Sequence, residues 1–342
     1  MSYPFVSVLG MPAIQPEVSP VESALTPIRT HENIVVKMEA FNVAGSHKSR
    51  AARFMVQDAV DRGLLQPGGS RRILEKTGGN LGVGLAYAAS KLDIGVDLVV
   101  GRSFSRVKRA LCEAFGARLA GEDLLDRGLQ PKDVIAHLLA NDGDSYLFLD
   151  QFNNRANYQA HLVETGPEIV LQIDALCLDP ARPLILVCGA GTGASFGGIS
   201  AALTAEYRPF TGVLVLPEGS DLDKGVFPTH AIEGIAVGVA PPFLDRSRVD
   251  RIIYVSNDQA RRGQSRMAAS IGYYPGMSSG ANFHAAELIA RENPNAIVLT
   301  IAYDNGEAYL ANLLLPPTAS NTSHNVAPER PQSQPFRDAV RA

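Results

Sequence analysis

Lys48 lies in Asn42-Val43-Ala44-Gly45-Ser46-His47-Lys48-Ser49-Arg50, a turn that runs into the amphipathic stretch AARFMVQDAV. A lysine just inside a helix N-terminus faces the positive end of the helix dipole, which disfavours an ammonium and favours a neutral amine or imine. That is the setting of a Schiff-base lysine. The plain alternative is a solvated surface lysine; here the flanking glycine, hydroxyls and basic side chains favour the reactive one.

Two glycine-rich turns could hold the anionic ends of a bound molecule. Glu75-Lys76-Thr77-Gly78-Gly79-Asn80-Leu81-Gly82 follows the apolar RRILE and opens VGLAYAAS, so its backbone N–H groups suit a carboxylate or a phosphate. Gly189-Ala190-Gly191-Thr192-Gly193-Ala194-Ser195 follows PLILVC and opens FGGISAAL. Its small residues let backbone approach a ligand, and Thr192 and Ser195 add hydroxyls suited to phosphate. Taken alone, this second loop also fits a dinucleotide fingerprint, with Glu218 as the ribose acceptor. The remainder of the chain decides between hydride and amine chemistry.

The elements that must position these groups alternate in period. Short apolar runs at 34–38, 72–75, 96–100, 184–188, 211–216 and 296–301 read as strands. Helical-period stretches at 49–62, 81–92, 106–115, 157–176, 196–207 and 281–292 read as crossover helices. This is the pattern of an α/β protein with parallel sheets. At 342 residues, 46% hydrophobic and 19% charged, the chain has material for about two domains, and disorder throughout is excluded. A net charge of −4 with no basic stripe predicts no nucleic-acid partner. Cys112, Cys177 and Cys188 are far apart among apolar neighbours, without zinc or redox spacing, and read as reduced core thiols; no metal site is predicted. No signal-like start and no membrane-length apolar run is visible, so a cytoplasmic protein without membrane partners is expected. Residues 317–342 are polar and proline-rich and read as a disordered tail.

Several segments together resemble the fold type II pyridoxal-phosphate enzymes, within them the cysteine synthase and cystathionine β-synthase group, in order from about residue 5 to about residue 316. FNVAGSHKSR resembles N-P-x-G-S-x-K-D-R, which implies that Lys48 carries the cofactor. LEKTGGNLG resembles E-P-T-S-G-N-T-G, implying that Thr77, Gly78 and Gly79 hold the substrate carboxylate, with Leu81 on the same loop, and that Asn80 reaches the cofactor's phenolic oxygen. DQFNNRANYQAHLVETGPEI matches Q-F-x-N-P-A-N…H…T-G-P-E-I and implies Gln151 at that carboxylate. GAGTGAS matches the phosphate cup, implying Gly191, Thr192, Gly193, Ala194 and Ser195. HAIEGIAVG, with Gly234, and GMSSGANFHAA match segments that close the back of the site.

The resemblance implies two three-layer α/β domains with pyridoxal 5'-phosphate in the cleft between them. One is a mobile substrate-binding domain over 43–149; the other is a larger phosphate-binding domain from 1–42 and 150–316. It also implies a homodimer and a small amino-acid substrate. The activity implied is β-replacement on an activated L-serine such as O-acetyl- or O-phosphoserine.

Three departures qualify it. Gly78 and Leu81 each replace a hydroxyl, and the Gly79-Asn80-Leu81-Gly82 loop resembles those of diaminopropionate-forming members of the group, which implies an amine-nucleophile, diaminopropionate-type synthase as the alternative. Tyr303-Asp304-Asn305-Gly306-Glu307-Ala308-Tyr309-Leu310 aligns with P-x-S-G-E-R-Y-L, which puts Asp304 where the family has a serine at the pyridine nitrogen. A carboxylate there would favour γ-replacement, racemase or deaminase chemistry. Alternatively Asp304 caps a turn, or a shift of one residue puts Asn305 at the nitrogen. His47 resembles the histidine before the lysine of the tryptophan synthase β-subunit and reads either as a phosphate contact or as a partly exposed helix-start residue. His161 reads as a packed histidine, and Arg106, Lys108 and Arg109 as a solvated helix face.

Overall fold

The computed structural model describes residues 25–77, 79–101, 104–207 and 209–314. Its strands form two sheets. The larger has six strands in the order β1-β2-β10-β7-β8-β9. These are β1 (Ile28–His31), β2 (Ile34–Lys37), β7 (Leu184–Gly189), β8 (Phe210–Pro217), β9 (Arg251–Val255) and β10 (Ile297–Ile301). The smaller has four in the order β5-β4-β3-β6: β3 (Arg72–Lys76), β4 (Val96–Val99), β5 (Arg118–Leu119) and β6 (Tyr146–Phe148). Only β1 and β2 pair antiparallel.

Helices cover both faces of the large sheet, so β7, LILVCG, is buried at every position. Alternate residues serve opposite layers. Val36, Ile185, Val187 and Val215 pack with Met267 of α9 (Asn257–Ile271) and Phe283 and Ile289 of α10 (Met277–Glu292). Val35, Leu184, Leu186 and Leu214 pack with Ile169 of α7 (Gly166–Asp174) and with Phe196 and Leu203 of α8 (Ala194–Glu206). The small sheet has its own core, in which Ile73, Val96 and Leu98 meet Met55 of α1 (Lys48–Asp61), Leu85 of α2 (Asn80–Ser90) and Cys112 of α3 (Arg106–Ala114). Among the described residues no helix is long and apolar enough to cross a membrane.

All six strands expected from the sequence are present, and the ends of the expected helices shift by a few residues. The single helix expected over 157–176 is in fact α6 (Arg155–Ala160), a π turn at His161–Thr165 and α7. The sequence reading missed β1, β5, β6, β9, α4 (Glu122–Asp126), α5 (Pro131–Asp142), α9 and α11 (Glu307–Leu314). Cys112 and Cys188 are buried and free, but Cys177 is exposed, because it follows α7 in a left-handed turn at φ 51° on the surface; the expectation of three core thiols is corrected. The tail over 317–342 lies outside the described residues.

Candidate active site

The carboxyl ends of both sheets open onto one cavity of about 860 Å³. Lys48, the first residue of α1, reaches it from the small-sheet side. Gly84 of α2 lets the helices approach there, since a Cβ at that position would come within 3.1 Å of the Lys48 carbonyl oxygen. Burial lowers the proton affinity of the Lys48 amine to about 8. The turn before it is fixed by Ala44 and Gly45, both left-handed at φ 57° and 77°.

His47 lines the same cavity with its ring 4.5 Å from that of Tyr303, and 6.0 Å from that of His161. Burial, reinforced by Lys48, holds both histidines well below the ordinary value, so they are neutral. His161 is fully buried with Nδ1 3.0 Å from Thr165 Oγ1, the packed histidine expected. His47 Nδ1 is buried without a partner.

The second glycine loop forms part of the wall, with Gly191, Thr192 and Ser195 on the cavity surface; Gly193 and Ala194 lie in the same loop but do not line the cavity. Side chains are impossible at two of its glycines. A Cβ on Gly191 would collide with the Gly234 carbonyl, and Gly193, at φ 83°, is pressed against the backbone of Leu244. The backbone N–H groups of Gly191, Thr192 and Gly193 donate to no partner among the described residues. Together with the start of α8 they form a small-residue cradle for an anion. Asn157 ties this loop to the neighbouring wall, its Nδ2 donating to the Gln151 carbonyl at 2.9 Å and to Thr192 Oγ1 at 3.3 Å.

Thr77, Gly79, Asn80, Leu81, Gln151 and Gly234 also line the cavity. Gly78 lies outside the described residues. Asp304 is buried at 2% exposure behind the wall, and its Oδ2 accepts from Asn80 Nδ2 at 2.8 Å, from Lys108 Nζ at 2.9 Å and from the Tyr309 hydroxyl. It caps no helix; its carboxylate joins three side chains from three elements. Asn305 is half-buried beside Pro275.

Among the cavity groups that escaped the sequence reading are Lys108, Glu233, Tyr303 and Tyr309. The expectation for Lys108 is corrected. It is 5% exposed, because the Asp304 carboxylate and the Tyr309 ring, 4.0 Å from its ammonium, draw it inward. Its spacing on α3 gave no signal, since the partner is 196 positions away. Glu233 was visible inside HAIEGIAVG but unmarked. Among the described residues, no cluster of three or more His, Cys, Asp or Glu side chains could hold a metal ion.

Comparison with known proteins defines the class. Residues 20–304 match the family described as "Pyridoxal-phosphate dependent enzyme". A probable cysteine synthase of Bacillus subtilis is 34% identical over 284 residues, covering 81% of this chain and 88% of that protein. The crystal structure of O-ureido-L-serine synthase superposes with a TM-score of 0.74 at 31% identity, covering 84% of this chain and 91% of the other. O-acetyl serine sulfhydrylase isoform 3 from Entamoeba histolytica gives 0.75 at 26% identity, over 89% and 93%. The chain belongs to the pyridoxal-phosphate-dependent enzyme family, in its fold type II, cysteine synthase-like branch. Its cofactor is pyridoxal 5'-phosphate.

The residues present fit that cofactor. A cradle in which a Cβ would collide, with three uncommitted N–H groups, suits a phosphate, and a lysine amine of lowered proton affinity opens onto the same cavity.

Proposed function

We propose that the protein catalyses β-replacement on an activated L-serine, with O-acetyl-L-serine the favoured donor and O-phospho-L-serine the alternative. The observation that carries this reading is the shared cavity of Lys48 and the Gly191–Ser195 cradle, in a chain similar to a probable cysteine synthase and an O-acetyl serine sulfhydrylase. When bound, pyridoxal phosphate withdraws electrons from the substrate's α-carbon, which acidifies the α-proton and loosens the β-substituent.

The chain's residues supply position and protons. Lys48 is the residue to hold the cofactor's aldehyde carbon. Gly191, Thr192, Gly193, Ala194 and Ser195 hold its phosphate through backbone N–H groups and hydroxyls, with His47 beside them, and Asn80 holds its phenolic oxygen. Thr77, Gly78, Gly79 and Gln151 orient the substrate carboxylate. Leu81 and Gly234 shape the space around its side chain. The Lys48 amine, kept near neutrality by burial, takes the proton from Cα and later returns it. Apolar Leu81, Phe104 and Phe152 on the wall limit water around that transfer.

The division into a mobile 43–149 unit closing over substrate, with 1–42 and 150–316 as its base, belongs to the same proposal. It is supported by separate cores under the two sheets and by cavity walls drawn from both. So do a homodimer, which rests on the resemblance, and a cytoplasmic location, which is supported by the three free cysteines; light scattering of the purified protein checks the first. The chemistries suggested by Asp304 gain no support from its placement behind Asn80 and Lys108.

The test is to load the protein with pyridoxal phosphate, supply O-acetyl-L-serine with sulfide, and measure acetate release. Wild type is expected to bind the cofactor with a visible absorbance band and turn over. Lys48→Ala is expected to lose both, and a protein that never binds the cofactor refutes the reading.

A further inference from the structure

We propose that the second substrate is an amine carrying a carboxylate, received between Glu233 and Lys108; this rests on the β-replacement reading and names its nucleophile class. Two charged groups on the cavity wall have no part in the chemistry above. Glu233 opens onto the cavity from the wall segment 227–238, and its carboxylate has no hydrogen bond or ion pair among the described residues. The backbone beneath it is fixed. Glu233 N donates to the Ala231 carbonyl at 3.1 Å, and Gly234, at φ 89°, sets its own carbonyl against Gly191.

Lys108 brings the opposite charge. An ammonium has three N–H donors, and two are committed, to Asp304 Oδ2 and to the Tyr309 hydroxyl. The third remains for a group in the cavity that Lys108 lines. The two charges share one electrostatic neighbourhood: Glu233 is exposed on the cavity wall, where partial desolvation raises its proton affinity, Lys108 opposes the rise, and Asp304 adds to it. A carboxyl so tuned accepts a proton more readily than an ordinary glutamate.

Hydrosulfide uses neither group, since it has no carboxylate for Lys108 and, as an anion, is repelled by an unpartnered carboxylate. An amino-acid-like nucleophile matches both, its ammonium toward Glu233 and its carboxylate toward Lys108. The ammonium gives one proton to Glu233, which passes it to solvent. The nitrogen lone pair then forms a C–N bond at Cβ, where the C–O bond has broken and acetate has left as the anion. Lys48 returns to Cα the proton it took.

The test uses the cofactor-loaded enzyme with O-acetyl-L-serine and three nucleophiles: glycine, ethylamine and sodium sulfide. Acetate release and product mass are measured for each. Wild type is expected to use glycine with a kcat/KM at least about tenfold above ethylamine, the effect of one charged contact. Lys108→Met is expected to bring glycine down to the ethylamine value, and Lys108→Arg to restore most of the difference. Glu233→Gln is expected to lower the amine-to-sulfide ratio at least about tenfold through kcat. Turnover with sulfide alone, or an amine-to-sulfide ratio within about twofold of wild type in Glu233→Gln, overturns this inference and leaves β-replacement standing. No acetate release with any nucleophile overturns β-replacement itself.

Discussion

Lys108 Nζ lies 2.9 Å from Asp304 Oδ2, which joins α3 of the small-sheet unit to the segment after β10 of the large one. Both side chains are almost fully buried, at 6% and 3% exposure. Breaking such a pair by removing one partner costs about 3–5 kcal/mol, because the other charge is left uncompensated. Asp304→Ser should therefore lower unfolding stability by about that amount in urea titrations. The double variant Asp304→Ser with Lys108→Met should recover much of the loss. A single-variant loss under about 1 kcal/mol would show that the pair is not coupled.

Cofactor loading should follow the protonation of Lys48. Its folded value, about 8, lies below the ordinary 10.5. Between those values the unfolded chain binds the extra proton, so the cofactor-free protein gains stability as pH rises through that window. The neutral amine, the form that attacks the cofactor aldehyde, becomes the majority above about 8. After cofactor removal with hydroxylamine, the reloading rate, followed by absorbance, should rise between about pH 6 and about pH 9. A flat profile would mean the amine is not the titrating group.

Two residues beyond Lys48, a buried ionic hub fixes the start of α1. Arg50 Nη2 meets Glu39 Oε1 at 2.9 Å and Glu168 Oε2 at 2.6 Å, and Lys37 Nζ meets Glu168 Oε1 at 2.5 Å. Arg50→Met leaves Glu39 without an ion-pair partner among the described residues, while Glu168 keeps Lys37, and should cost about 3–5 kcal/mol. Arg50→Lys keeps the charge but loses the two-pronged contact with Glu39, so it should cost less yet still measurably. Chemical denaturation of both variants, with cofactor affinity read alongside, checks the order.

Glu75 titrates in the opposite sense to Lys48. Burial, followed by the neighbouring Asp150, raises its carboxyl from 4.5 to about 8, and Oε2 has no partner. The folded state holds the extra proton between those values, so this residue makes stability fall as pH rises through them. A tenfold drop in proton concentration within that window removes about 1.4 kcal/mol. Glu75→Gln should thus be more stable than wild type at pH 9 by at least about that much, and little different at pH 4. Equal melting curves at the higher pH would refute it.

How much of this was legible in the chain depended on distance along it. The strands that became the sheet centres were long apolar runs, as in LILVCG, and the two glycine loops declared themselves by composition. Short or edge strands did not. β9 exposes Tyr254 and Arg251, and β5 has only two residues, so neither carries enough pattern. Lys108 was misread because its helix is amphipathic and its partners, Asp304 and Tyr309, come from the far end of the chain. The π turn at His161–Thr165 left no trace in the apolar spacing. Family resemblance recovered Thr77, Gln151 and Gly191 as cavity residues, since those motifs are local.

Strand order in the large sheet also dictates how the chain must be made. β10, residues 297–301, lies between β2 near the start and β7 in the middle, so β2 has no parallel neighbour until almost the whole described chain exists. The small sheet is complete by residue 148. On the ribosome the Lys48 side of the cavity is therefore built first, facing a partner that closes last, and the β2 and β7 edges that wait for β10 are the unpaired surfaces that need shielding in the interval.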